Sequence, residues 1–240
     1  MQKFMFCAAA NILIFCSPSV AQSIPPKENQ SGGESRDDNP YPPSSNMYLP
    51  FQQYLKALKN ESKLVDALAK AKSKSEAKQI ASSSSAKGLS KLSDGEMEEF
   101  FVLRTEVFRR LNPTMLAAIF LDTPDALKVR GKAGEALMKT LEKMDVKQIE
   151  QWFMLMAKAI HANYGTAQPK SASSKEVEVA MTHFYESISE DERDEFISIF
   201  GNMKEASTTD IYWAIQCLFT AIPTLQQPHK TVLIRAFLSE

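Results

Sequence analysis

Histidine is the side chain best suited to acid–base chemistry near neutral pH, and this sequence has three, His161, His183 and His229. His183 and Glu186 stand three residues apart in the stretch HFYE, so on a helix they would share one face, as a metal-binding pair does. Helical bundles that bind two metal ions use two such pairs in the opposite order, together with further carboxylates, whereas this sequence has a single pair. We therefore predict no metal site and no cofactor, and we interpret the histidines as solvated or partly buried side chains.

Cys217 lies in WAIQCLFTAI, a strongly apolar stretch that is typical of a buried helix. In such surroundings burial raises the pKa of a thiol, which then behaves as a small core residue and not as a nucleophile. The sequence contains no G-x-S-x-G elbow, no glycine-rich phosphate loop and no H-E-x-x-H motif. We predict no catalytic residue and a protein that is not an enzyme.

Carboxylates stand close together at Glu96, Glu98 and Glu99 and again within Glu190–Glu195. A pair of carboxylates is what a glycosidase uses, so that chemistry stays an open alternative. Both groups fall in the first turns of predicted helices, where the helix dipole favours acidic side chains. Helix formation therefore accounts for them without a catalytic role.

These acidic groups belong to a phrase that occurs three times, as LSDGEMEEFFVL at 92–103, MDVKQIEQWFML at 144–155 and ISEDERDEFISI at 188–199. Each copy has a Ser or Asp cap, a Glu or Gln three residues later, and then an aromatic residue that leads an apolar stripe. This is the pattern of a capping box at a helix start. It indicates either a duplicated helical hairpin, as in solenoid proteins, or the common form of a well-capped helix.

Helix signals of this kind run through the rest of the chain and predict an all-α fold of about eight or nine amphipathic helices, arranged as an irregular bundle or a short array of helical hairpins. The apolar spacing predicts a first helix over 51–71. Capping residues or Pro mark five later starts, at Ser93, Asn112, Thr123, Asp145 and Ser189. Further helices are predicted over 115–121, 126–144, 211–222 and 230–238, with a break or kink at Gly131 and Gly134 because glycine destabilises a helix interior.

The first 21 residues have the order of a secretory signal peptide, with Lys3, an apolar run over 4–15, and a small-x-small end that predicts cleavage near Ala21. Cys7 and Cys16 would be removed with it, leaving Cys217 as the single cysteine and no intrachain disulfide. No transmembrane segment is expected after cleavage. Residues 22–46 are rich in Pro, Ser and Gly and predict a disordered tail before an all-helical domain at 47–240.

Within that domain, residues 72–92 are dominated by Ser and Lys and predict a flexible segment, either a linker or a poorly packed helix. Its basic character suggests weak contact with an anionic surface, although a plain soluble linker is the simpler interpretation. A net charge of −1 gives no general attraction to nucleic acid, so no nucleic-acid partner is predicted. Six lysines lie within this segment or just before it, namely Lys70, Lys72, Lys74, Lys78, Lys87 and Lys91.

These features predict an exported protein, periplasmic or secreted, that acts through protein–protein interaction with an unidentified partner, for example as an accessory factor of an envelope or secretion apparatus. An alternative is a carrier that binds a lipid or other apolar ligand between its helices, because methionine and phenylalanine side chains can line an adaptable cavity. The methionines that suggest this alternative are Met97, Met115, Met138, Met154, Met156 and Met181.

Overall fold

A computed structural model of the 240-residue chain describes residues 39–121, 123–203 and 205–238. This part of the chain contains eleven α-helices, a 3₁₀ turn and no strand, which confirms the predicted all-α class with more helices than expected. The helices are α1 (Tyr48–Lys59), α2 (Ser62–Ala69), α3 (Lys74–Leu89), α4 (Asp94–Arg109), α5 (Pro113–Phe120), α6 (Pro124–Leu141), α7 (Val146–Tyr164), α8 (Ser174–Glu186), α9 (Glu190–Gly201), α10 (Thr208–Ala221) and α11 (His229–Leu238), with the 3₁₀ turn at Ile222–Thr224.

The five helix starts predicted from capping residues are all confirmed, because each cap side chain accepts a hydrogen bond from a backbone N–H of the first turn. Three of them, at Ser93, Asp145 and Ser189, are capping boxes in which the third helical residue also bonds back to the cap. The same box occurs at Ser173 and Ser207, which head helices outside the repeated phrase. The box is therefore a frequent helix start in this protein.

Two predictions about helix continuity were wrong. The helix expected over 51–71 is two helices, because the chain leaves the helical conformation at Glu61, whose extended backbone precedes the first residue of α2. Conversely, α6 runs unbroken through Gly131 and Gly134. The cost of glycine, about 1 kcal/mol per residue, is small beside the burial of the apolar face of α6 against α5.

A single continuous cluster of buried apolar side chains joins all of the helices. Helix α4 lies at its centre and packs against α6, α7, α10 and α11, while α7 packs against α1, α3 and α4. Aromatic rings connect these helices, as where Phe101 of α4 stacks on Phe219 of α10 with ring centroids 4.9 Å apart. The contacts join elements distant in sequence, so the fold is an irregular bundle and not an array of consecutive hairpins.

The three copies of the repeated phrase start α4, α7 and α9, and these helices have different neighbours. Helix α9 packs mainly against α10, whereas α4 and α7 occupy the centre of the bundle. None of the three packs extensively against the helix that precedes it in the chain. This arrangement favours the interpretation of the phrase as a common helix start over that of a duplicated hairpin.

Most of residues 72–92, where the sequence predicts a flexible linker or a poorly packed helix, forms α3, whose contact with α7 is the most extensive between two helices of the described part. Small residues make this possible. Ala81, Ser84, Ser85 and Gly88 are buried along α3. At Gly88 the two helix backbones are so close that an added Cβ would lie 1.6 Å from the carbonyl oxygen of Ala159.

The end of the predicted disordered tail is also part of the fold. The Asn39 side chain donates a hydrogen bond to the carbonyl of Tyr48 at 2.7 Å, and the Tyr41 ring packs edge-on against Phe51 with centroids 5.2 Å apart. The Ser45 hydroxyl donates to Glu142 at 2.6 Å. The predicted signal peptide at 1–21 and residues 22–38 of the predicted tail lie outside the described residues.

The close approach of α3 and α7 can be tested by replacing Gly88 with alanine. The new Cβ would meet backbone and not a movable side chain, so the helices must separate. We expect Gly88→Ala to lower the free energy of unfolding by about 3 kcal/mol, at the upper end of overpacking effects. Chemical denaturation followed by circular dichroism measures this change.

Gly131→Ala is the matched control, since Gly131 lies inside α6 with no atom within 4 Å of the position of an added Cβ. There the higher helix propensity of alanine acts alone and should raise the free energy of unfolding by about 0.5–1 kcal/mol. Equal effects of the two substitutions would contradict the close contact at Gly88.

Candidate functional site

An open groove with a volume of about 1080 Å³ runs along the outer face of α7. We call it the α7 groove. Its floor is α7, one wall is α1, and the other wall combines the turn between α3 and α4 with the start of α4. It is lined by Pro50, Gln53, Tyr54, Ala57, Asn60, Lys91, Leu92, Glu96, Glu99, Lys147, Glu150, Gln151, Phe153, Met154, Ala157, Lys158, His161 and Ala162.

The floor exists because one stripe of α7 carries no covering helix. The inner face of α7 is buried by Ile149, Trp152 and Met156. On the outer stripe, Met154 is 49% exposed and is followed one turn later by Lys158. An exposed methionine in a concave surface is the side chain of this groove most able to gain from burial by a ligand.

The polar groups of the wall formed by α4 are already paired with α7. Lys158 Nζ lies 2.8 Å from Glu96 Oε1, and the amide of Gln151 donates to Glu99 at 3.2 Å. The hydrogen bond from Lys158, together with those from the capping Ser93, holds the pKa of Glu96 below its ordinary value despite partial burial. These pairs fix the spacing between α4 and α7 and leave the middle of the groove open.

The far end of the groove is held in a similar way. His161 Nδ1 lies 2.8 Å from the carboxylate of Glu61, which joins α7 to the break between α1 and α2. Lys91 Nζ donates to the carbonyl of Asn163 at 3.1 Å and so closes the α3–α4 turn onto the last turn of α7. Polar contacts therefore attach both walls of the groove to its floor.

The buried guanidinium of Arg235, on α11, binds the backbone of the α3–α4 turn. It donates to the carbonyls of Leu92 and Lys170, each at 3.2 Å, and to the carboxylate of Asp94. A fourth contact reaches the carbonyl of Ser90. Because Arg235 is only 6% exposed, these groups replace the water that a guanidinium requires. The turn that carries Lys91 and Leu92 into the groove thus depends on a residue of the last helix.

The residues considered for chemistry from the sequence converge only in part. His161 and the carboxylates Glu96 and Glu99 line the α7 groove, where Glu96 and Glu99 are bonded to α7, whereas His183 and His229 contact one another elsewhere. Cys217 is partly buried. Its pKa is raised to about 11, mainly by burial and to a smaller extent by the negative charges of Glu192 and Glu195, in the direction that the sequence predicts. Within the described ranges, no three His, Cys, Asp or Glu side chains form a group that could hold a metal ion.

The lysines of the predicted basic segment are also dispersed. Lys70, Lys72 and Lys87 are exposed, Lys91 is tied to α7, and the side chains of Lys74 and Lys78 lie outside the described part. No helix of residues 39–121, 123–203 and 205–238 combines the length and apolar character that crossing a membrane demands.

Comparison of this chain with protein-family models, characterised proteins and solved structures finds no match.

The role of Arg235 can be tested with Arg235→Met, which keeps the side-chain volume but removes every donor. The buried carbonyl of Leu92 would lose its donor and the carboxylate of Asp94 would lose its ion pair, so we expect the free energy of unfolding to fall by about 2–3 kcal/mol. Arg110→Met is the control, because Arg110 is exposed and pairs with Glu106 one turn away on α4. It should change stability by no more than about 0.5 kcal/mol. A similar loss of stability in both variants would show that the contacts of Arg235 contribute no more to the free energy of unfolding than an exposed ion pair does.

Proposed function

We propose that this protein is exported and acts through protein–protein interaction, and that the α7 groove receives an amphipathic helix of the partner protein. The observation that carries the proposal is the uncovered stripe of α7, with Met154 exposed at the middle of a groove that has two attached walls. Helix-in-groove recognition buries an apolar face at spacings of three and four residues. Met154 and Ala157 offer an apolar floor for such a face.

The dimensions of the groove suit a helix. From Lys147 to Ala162 the floor extends about 22 Å, at 1.5 Å per residue, which corresponds to roughly four helical turns. Short loops or single side chains would leave much of this length unfilled.

The charges also favour a polypeptide over a lipid. One end of the opening carries exposed charges of both signs, from Lys147 and Glu150. A partner helix with both signs of charge on its flanks can pair with them, whereas an acyl chain would desolvate them without compensation. Charge pairs at the rim would set the register of the partner more than its affinity.

The alternative of a lipid carrier rested on six methionines that could line one cavity. Met97, Met138 and Met156 are buried in the core instead, and Met154 is the one of the six that lines the groove. Met115 and Met181 are partly buried against the core. A dispersed set of this kind supports ordinary core packing better than a shared apolar cavity.

Export is proposed from the residue order of positions 1–21, and an accessory role at an envelope or secretion apparatus is the form of interaction that agrees with it. A single cysteine after cleavage, Cys217, leaves the mature chain independent of disulfide formation. Its stability would then come from the continuous core.

The groove is tested by affinity capture from the native envelope fraction with three forms of the protein: unchanged, Met154→Glu and Leu127→Glu. Met154 and Leu127 are matched, since they are 49% and 54% exposed, but Leu127 lies on α6 away from the groove. We expect one protein to be captured equally by the unchanged form and Leu127→Glu, and at least about tenfold less by Met154→Glu, because a charge replaces a central apolar contact.

Capture that is insensitive to Met154→Glu, or equally sensitive to both substitutions, would contradict the groove as the interface. Native mass spectrometry of the same samples distinguishes the alternative. A lipid that accompanies the unchanged protein and is lost with Met154→Glu would favour the carrier.

Export is tested separately, by sequencing the N-terminus of the protein recovered from its native source. We expect a mature chain that begins near Gln22, because cleavage follows the small residue Ala21. An intact Met1 in a cytosolic fraction would overturn the proposed localisation, and the capture with the same three forms would then be made from that fraction.

A further inference from the structure

Two of the three histidines stack on one another where α8 meets α11. The ring centroids of His183 and His229 are 3.9 Å apart and the ring planes are inclined by 30°. His183 lies in the last turn of α8, and His229 is the first residue of α11. We call this contact the histidine pair. It joins two helices that pack extensively against one another.

The charged groups around the pair are unevenly distributed. The carboxylate of Glu186, on α8, lies 3.1 Å from His183 Nδ1. On the side of α11, Lys230 turns to Glu98 of α4 at 3.3 Å, and Asp94 of α4 is held by Arg235 near the other end of the helix. The 3₁₀ turn that packs against α11 has no charged residue.

Helix α9 meets α8 through aromatic side chains, with the ring of Phe196 against that of Phe184 at a centroid distance of 5.0 Å. The negative charges of its residues Glu192 and Glu195 act on Cys217 of α10. Glu186 is thus the carboxylate in contact with the pair.

This arrangement favours one proton on the pair and opposes a second. A charge on His183 is stabilised by Glu186 and by the carbonyl end of the α8 dipole. A second charge, on His229, would face the first across 3.9 Å and would also stand at the positive end of the α11 dipole. Double protonation therefore opposes the contact between the two helices.

We propose that the histidine pair is a pH-sensitive latch, which holds α8 against α11 while at least one ring is neutral and releases α8 when both rings are protonated. Histidine changes charge between about pH 5 and 8, so the latch is closed at neutral pH and opens on acidification. Release would expose the buried Phe184 and Ala180, by which α8 packs on the core. The latch does not involve the α7 groove.

Hydrogen–deuterium exchange of the purified protein tests the latch at about pH 7.5 and about pH 5, in the range where histidine titrates, after correction for the intrinsic effect of pH on exchange. Chelator in the buffer removes any contribution from metal ions. We expect the amides of α8 to lose protection by about tenfold or more at the lower pH, relative to those of α5, because local opening sets their exchange. Unchanged protection of α8 in the unaltered protein would by itself overturn the proposal.

Variants separate the latch from a general effect of acid. His183→Phe and His229→Phe each keep an aromatic ring in the stack but remove one site of protonation, so each should abolish the loss of protection in α8.

The control is His161→Phe, because His161 pairs with Glu61 on another face of the protein and should leave the pH response of α8 as it is. Circular dichroism at neutral pH selects the variants that fold, and either of the two histidine-pair substitutions is sufficient. An acid response of α8 that persists in a folded His183→Phe or His229→Phe protein contradicts the latch, as does its disappearance in His161→Phe.

Discussion

The contact between the backbones of α3 and α7 is the constraint on which most of this structure depends. Gly88 approaches the carbonyl of Ala159 so closely that any side chain at position 88 would meet backbone. Helix α3 covers the inner side of α7, and the opposite stripe of α7 stays outside as the floor of the groove. The end of α3 also delivers the turn with Lys91 and Leu92 to the groove wall. A wider separation of α3 and α7 would move the floor and one wall together.

Local signals predicted much of the fold but not this contact. A capping box or an apolar stripe is complete within a few residues, so the starts at Ser93 and Asp145 and the buried faces behind them could be identified without tertiary information. A serine-rich segment is ambiguous, because small residues suit both an unfolded linker and the closest helix packing. The spacing of Ala77, Ala81, Ser84 and Gly88 along one face was the signal that favoured packing.

The groove was harder to predict than the fold, because no single segment contains it. Its walls come from α1, the α3–α4 turn and α4, and each of these contributes polar side chains that in isolation belong to a solvated helix face. Buried arginines posed the same problem. Arg235 donates to the carbonyl of Leu92, and Arg130 donates to the carbonyl of Ala118. Nothing in the residues next to them distinguishes them from exposed arginines such as Arg110, because their partners are distant in the chain.

Helix α11 connects the groove and the histidine pair, since it begins with His229 and carries Arg235 two turns later. The contacts of Arg235 with Leu92 and Asp94 belong to the α3–α4 turn and the start of α4, and α8 takes no part in them. Helix α11 also keeps its own attachment to α4, where Glu98 accepts a hydrogen bond from Thr231 at 2.7 Å. If α8 separated from α11, helix α11 would therefore stay packed on α4, and the groove wall would stay in place. The carbonyl of Lys170, which Arg235 also holds, precedes α8 in the chain, so the proposed latch can loosen α8 beyond this point without changing the shape of the α7 groove.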